Sequence, residues 1–364
     1  MSIPMVDLHQ QYQTLKEEIE PVVLDTLSEA DYIMGENVKA FEHEVANYLD
    51  VKYALGVASG TDALHLALRA CGVQPNDEVI TPAFTFISTI EAILYCGATP
   101  IFVDIDSNNF HLDLSQLATL ITPKTKAILP VHLYGNPVNM PALMSLANQY
   151  QLLVIEDAAQ SFGATWNGQQ TGSFGTVGCF SFYPSKNLSA FGDGGMIVTN
   201  SEKIYADLIA LRNHGSYTRY HHEKLGYNSR LDEIQAAILR IKLKYINCFN
   251  EKRYSAAQYY SQLLNGKVET PQESKTAKHI YHQYTILHRK RDAIQAALQQ
   301  EEIASMIYYP IPLHQQILFN NKYANLSLPN TKIVSQRCLS LPMFPELTTA
   351  QIEKVCAVIH TAIV

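Results

Sequence analysis

The amino-acid sequence predicts an α/β protein with a mainly parallel sheet flanked by helices, followed by a smaller α+β lobe. Three observations carry that expectation. Up to about Asn200, short β-rich apolar runs alternate with helical stretches, as in a sheet covered on both faces. Past roughly residue 250 the alternation gives way to shorter, mixed elements. A chain of 364 residues is long enough for a large domain with a second, smaller one. The expected division is 1–245 for the large domain and 246–364 for the small one.

Along the chain, Val38, Phe41, Val45 and Tyr48 recur at helical spacing after the turn-like Gly35, so "ENVKAFEHEVANYL" reads as an amphipathic helix with its apolar stripe in the core. The strand candidates follow as "YALGVA", "DEVITPA", "PIFVDI", "TKAILPVHLYG", "QLLVIEDAA", "TVGCFSFYP" and "GGMIVTN". A single long helix is expected from about Asp232. The small lobe should contain strands at "HQYTILH" and "EIASMIYY" and a closing helix from about Thr348. No repeat or low-complexity tract interrupts this pattern.

Composition narrows the function. The formal charge of −7 and the lack of Lys/Arg runs at either terminus remove the electrostatic footprint of a nucleic-acid binder. The start "MSIPMVDLHQQYQ" has no basic segment leading into an apolar one, and no apolar run is of bilayer length; a cytoplasmic location is expected. Six cysteines without a CxxC pair read as buried thiols rather than a disulfide framework or a zinc site. The adjacent His221 and His222 fit no helical metal pattern, and no metal is expected.

In a parallel sheet, ligands bind beyond the carboxyl ends of the strands, and each chemical signal here lies at such an end. In "GVASGTDALHLAL" a strand runs through Ser59, Gly60 and Thr61 into a helix. Amides at a helix start beside a hydroxyl and a glycine suit a phosphate; a plain helix cap accounts for the same residues. GxxxxGK[ST] is absent, and "GDGG" precedes a strand rather than a helix, which argues against nucleoside triphosphates and NAD.

The run "LLVIEDAAQSFGA" ends in Glu156 and Asp157, with Gln160 just beyond. A carboxylate at the end of a buried strand needs a positive partner or several donors; capping the next turn is the plainer alternative. Lys186 follows another strand, after Ser181 and Ser185. Burial would lower its proton affinity and make it a usable amine, although most lysines are merely solvated. A phosphate nest, an acid for a protonated ring nitrogen and a lysine for an aldehyde are together what pyridoxal phosphate (PLP) requires of a protein.

The segments "SGTDAL", "PAFTFISTIEAI", "PVHLYG", "VIEDAAQSFGA", "FSFYPSKNL", "GDGGMIVTN", "GYNSRLDEIQAA" and "YYPIPLH" occur in the order expected for the nucleotide-sugar aminotransferases of the DegT/DnrJ/EryC1/StrS family, and the resemblance spans about residues 5 to 345. It implies the type I fold of PLP-dependent transferases, that of aspartate aminotransferase, and a homodimer with shared active sites. By the same resemblance Lys186 is the Schiff-base lysine and proton shuttle, Asp157 pairs with the ring nitrogen, Gln160 lies near the ring hydroxyl and Phe86 stacks on the ring. Gly60, Thr61 and Ser181 would hold the phosphate with Asn228 of the neighbouring subunit. Phe86 also reads as core, and Asn228 as a loop cap.

His214, Arg230, Tyr309 and His314 match family positions near the sugar or its diphosphate; for Arg230 a structural salt bridge is the alternative. The resemblance implies L-glutamate as donor and a keto-hexose linked to UDP or dTDP as acceptor, with carbon 3 favoured over carbon 4 by the "RYHH" and "YYPIPLH" segments. Surface-glycan synthesis, such as that of a lipopolysaccharide O-antigen, is the implied setting. Relatives that dehydrate sugars carry His in place of the lysine, whereas this chain keeps Lys186. A dehydrase and a non-catalytic PLP-binding regulator stand as alternatives.

Overall fold

In a computed structural model, which describes residues 2–363, the chain opens with helix α1 (Leu8–Glu29), started by Asp7 accepting from the Gln10 amide. Helix α2 (Glu36–Leu49) buries Val38, Phe41 and Val45 as their spacing requires. Its Gly35 N-cap offers no side-chain acceptor, so Glu233 accepts from the Asn37 and Val38 amides at 2.8 and 2.9 Å. Phe41 lies wholly buried, edge-on to Phe182 at 5.3 Å; truncation to alanine should cost about 3–5 kcal/mol.

Strand and helix then alternate: β1 (Tyr53–Val57), α3 (Gly60–Ala70), β2 (Glu78–Pro82), α4 (Ser88–Tyr95), β3 (Thr99–Val103), α5 (Leu114–Leu120), β4 (Thr125–Ile128), α6 (Met140–Gln149) and β5 (Leu153–Asp157). A small hairpin, β6 (Thr165–Trp166) and β7 (Gln169–Gln170), precedes β8 (Val177–Ser181) and β9 (Gly195–Thr199). The sheet order is β1-β9-β8-β5-β4-β2-β3. Only β9 runs against its neighbours; the other pairings are parallel, as expected of near-continuous apolar strands. All seven runs read as strands from the sequence occupy this sheet.

Helix α7 (Glu202–Arg212) leads to the hairpin β10 (Ser216–Thr218) and β11 (His221–His222). The single helix expected from Asp232 is in fact two, α8 (Glu233–Leu243) and α9 (Ile246–Leu264). The Lys244 and Tyr245 amides reach back only three residues, to Ile241 and Lys242, at 3.2 and 3.0 Å, which tightens the turn and ends the α-helical ladder.

The remainder comprises β12 (Ala277–Lys278), β13 (Tyr284–Leu287), α10 (Arg291–Gln300), α11 (Pro329–Arg337), β14 (Cys338–Leu341) and α12 (Thr349–Ile363). Strand β13 and the closing helix match expectation. "EIASMIYY" is not a strand: Ile303 and Met306 each make one isolated bridge, to Ile3 and Ser340. Tyr260, Tyr284, Ile294 and Val355 build a second apolar core here, which Ile3 joins. No helix among the described residues is long and apolar enough to cross a membrane.

Candidate active site

The carboxyl ends of β5 and β8 and the start of α3 face one cavity of about 370 Å³. It is lined by eight of the residues singled out in the sequence: Gly60, Thr61, Phe86, Asp157, Gln160, Ser181, Lys186 and Tyr309.

Helix α3 begins against β8. A Cβ at Gly60 would fall 2.6 Å from that of Ser181, so only glycine lets the helix start approach the strand this closely. Ser59 caps the helix by accepting from the Asp62 amide at 3.1 Å, while Thr61 shares a 2.8 Å hydroxyl contact with Ser88 of α4. The cap reading and the phosphate reading are thus compatible: Ser59 satisfies the helix, and Gly60, Thr61 and Ser181 line the cavity.

The two acids ending β5 have separate tasks, because neighbouring strand residues face opposite ways. Glu156 is fully buried and accepts from the Gly172, Phe174 and Gly175 amides and from His132 Nε2, at 2.6–2.9 Å. Asp157 faces the cavity. Its Oδ2 accepts from Thr89 Oγ1 at 2.8 Å and its Oδ1 from the Ala159 amide at 3.2 Å. Burial raises its carboxyl pKa above the ordinary value, although Thr89, Ala159, Lys186 and His132 act in the opposite direction. A positive group in the cavity would stabilise its charged form.

Lys186 stands in the turn after β8, its amide donating to Tyr183 at 2.8 Å. Burial lowers its ammonium pKa to about 8, opposed by the charge of Asp157. Its amine makes no hydrogen bond among the described residues. Gln160 accepts from the Tyr134 amide at 2.7 Å and donates to the Tyr309 hydroxyl at 3.3 Å, which fixes both side chains beside Asp157. Phe86 is 51% exposed at the cavity mouth, so it is not a core residue and its face is open to a ring.

Four sequence candidates do not line this cavity. Asn228 bridges Asn213 and is exposed, as is His214. Arg230 reaches Asn213 Oδ1 at 3.4 Å, with no salt bridge to an acid among the described residues. His314 is buried against Phe102, and its Nδ1 has no hydrogen-bond partner among the described residues. Conversely, the cavity includes Ser88, His282, Gln283 and Tyr308, which sequence reasoning did not single out. The pair His282 and Gln283 lies immediately before β13 and had only the apolar run after it as a signal.

These residues fit PLP: a buried acid short of a positive partner, an amine without a hydrogen bond, and open amides at a helix start are complementary to its ring nitrogen, aldehyde and phosphate. No group of three or more His, Cys, Asp or Glu among the described residues could hold a metal ion.

Comparison with known proteins agrees. The chain is 50% identical over 360 residues to the UDP-N-acetyl-3-dehydro-alpha-D-glucosamine 3-aminotransferase of Acidithiobacillus ferrooxidans, covering 99% of this chain and 97% of that one. It is 46% identical to a pleiotropic regulatory protein of Geobacillus stearothermophilus, over 96% of each chain. The structure superposes on S. venezuelae DesV, solved in complex with a ketimine intermediate, with a TM-score of 0.97 at 38% identity, covering 100% of this chain and 98% of that one. Residues 13–360 match the DegT/DnrJ/EryC1/StrS aminotransferase family, and the chain belongs to that family.

Proposed function

We propose that the protein is a PLP-dependent aminotransferase that moves an amino group from L-glutamate to a keto-hexose linked to UDP or dTDP, with a carbon-3 ketone favoured over carbon 4. The observation that carries the reading is one cavity shared by the Lys186 amine, the Asp157 carboxylate and the α3 amides. The name of the Acidithiobacillus relative supports both the nucleotide sugar and carbon 3. Amino-sugar synthesis for a surface glycan, in the cytoplasm, is the corresponding setting.

When bound, PLP supplies an aldehyde that carries the amino group and a ring that draws electrons from the reacting carbon. The Gly60 and Thr61 amides and the Ser181 hydroxyl would hold its phosphate. Asp157 would keep the ring nitrogen protonated, Phe86 would cover one ring face, and Gln160 would stand near the ring hydroxyl. An amine with a pKa of about 8 can take up and return a proton within one turnover, the task assigned to Lys186. Tyr309 borders the same cavity and suits a contact to the sugar.

We further infer a homodimer with shared sites and a division of the chain into residues 1–245 and 246–364. Leu24, Leu27, Tyr32, Ile33, Tyr183 and Phe191 are exposed, apolar side chains that a second copy could cover. Asn228, His214 and Arg230, absent from their own chain's cavity, are then available to the partner's phosphate and sugar diphosphate. His314 is assigned to the sugar site by resemblance alone.

The test is the visible absorption spectrum of the purified protein before and after L-glutamate. A yellow band that fades on addition, and returns with 2-oxoglutarate, supports cofactor and donor together. Yellow protein indifferent to glutamate points to a dehydrase, a different donor or a non-catalytic regulator, the last reading being the one the Geobacillus relative's name would favour. Protein that stays colourless after incubation with PLP overturns the proposal.

A further inference from the structure

A chain of buried amides runs from α9 to the cavity and ends on His282. Asn250 Nδ2 donates to the Phe162 carbonyl at 3.1 Å, so Asn250 Oδ1 is its accepting atom. Asn187, the residue after Lys186, donates through Nδ2 to that oxygen at 2.7 Å and to the Ile280 carbonyl at 3.2 Å. Because both partners can only accept, Asn187 is fixed with its own Oδ1 toward His282 Nδ1, 3.2 Å away. An amide oxygen cannot donate, so Nδ1 of His282 must carry the hydrogen.

The ring is neutral: burial, assisted by the positive charges of Lys186 and Arg253 and by His279, keeps its pKa well below the ordinary value. A neutral ring protonated at Nδ1 has a lone pair at Nε2. His282 lines the cavity together with Lys186, and its Nε2 makes no hydrogen bond among the described residues. One bare acceptor and one unpartnered donor therefore line the same cavity, and Asp157 is the acid whose charge acts on that lysine.

We propose that His282 is a positioning residue for Lys186: its Nε2, kept unprotonated by the Asn250–Asn187 chain, is the acceptor to which the lysine amine turns once the cofactor is loaded, and it then fixes where that amine stands. The amine is then aimed while it exchanges protons, and a histidine on the small lobe ties the site to that lobe. The inference rests on Lys186 being the cofactor lysine, but the state of the His282 ring can be read without that assumption.

Two measurements test it. In the holoenzyme with nitrogen-15 histidine, the His282 resonances, identified by their loss in His282→Gln, should show Nδ1 protonated and Nε2 bare. A ring protonated at Nε2 overturns the proposal. The second uses full-length enzyme loaded with pyridoxamine phosphate, which leaves the Lys186 amine unbonded, and follows trace acetylation of Lys186 against pH by mass spectrometry. Removing an acceptor destabilises the ammonium, so His282→Phe should lower the midpoint by about one pH unit. His282→Gln, which retains an accepting oxygen, should restore at least part of the shift. An unchanged midpoint in His282→Phe overturns the proposal. Borohydride trapping of the cofactor on a lysine other than 186 would instead sink the cofactor assignment and leave the tautomer result standing.

Discussion

The cavity side and the packed underside of the β5–β8 region each contain an acid and a lysine, and the two sets are treated oppositely. On the underside, Glu156 accepts four hydrogen bonds, and Lys242 donates to the carbonyl and hydroxyl of Ser189 at 2.7 and 2.6 Å. On the cavity side, Asp157 accepts two bonds from a hydroxyl and an amide, and the Lys186 amine has none among the described residues. Both lysines are depressed by burial, Lys186 to about 8 and Lys242 to about 7. A shifted pKa thus does not separate chemistry from architecture in this protein. Unspent hydrogen-bonding capacity that opens onto a cavity does.

The largest expected effect falls on the unspent lysine. Lys186→Ala should lower transamination by about 10³-fold or more, since it removes both the cofactor's attachment and the amine that exchanges protons. The protein should still fold, because that amine holds nothing else in place. Steady-state rates beside a thermal melt check both halves. Full activity in the variant would erase the contrast between the two sides.

The acids sharpen it. Asp157→Asn should cost roughly 10²-fold in kcat with little loss of stability, because the amide cannot keep a neighbouring ring nitrogen charged. Glu156→Gln should do the reverse. Whichever oxygen becomes NH₂ then confronts two donors, His132 Nε2 with the Gly172 amide or the Phe174 and Gly175 amides. We expect about 3 kcal/mol of destabilisation, read from urea unfolding, with kcat in the folded fraction little changed. A Glu156 variant that is stable but inactive would mean that this acid too belongs to the site.

The same contrast shows what was legible in the sequence. Asp157 and Lys186 stood out because one ends an apolar strand and the other lies just past one, where a charge is costly without a purpose, and their order matches the family's motifs. Periodicity alone could not say which of Glu156 and Asp157 faces the cavity, since strand orientation decides it. Helix α1 was not foreseen: its buried stripe includes Gln11 and Thr26, and Pro21 lies inside it, which blurs the apolar period. The break at Lys244 and Tyr245 leaves that period intact on both sides and so has no sequence signal. "EIASMIYY" has strand composition but finds only single bridging partners. His282 acquires its place through Asn187 and Asn250, distant in sequence, a relation that only the fold creates.

The smallest effect separates the two lysines by pH. Lys242 is buried with its amine over the Phe191 ring at 4.8 Å. Burial chiefly lowers its pKa to about 7, with Arg253 acting in the same direction and Glu346 against it. Between about pH 7 and the unfolded value near 10.5, the unfolded chain binds a proton that the folded chain has released. Stability must therefore rise with pH across that window. Lys242→Met removes the titrating group and should flatten the rise in unfolding free energy between pH 7 and pH 9, while activity per folded molecule stays unchanged. Lys186 titrates in both proteins, so the difference between their slopes belongs to Lys242. Equal slopes would mean that the folded protein keeps Lys242 charged, and that Ser189 and Phe191 hold an ammonium rather than a neutral amine.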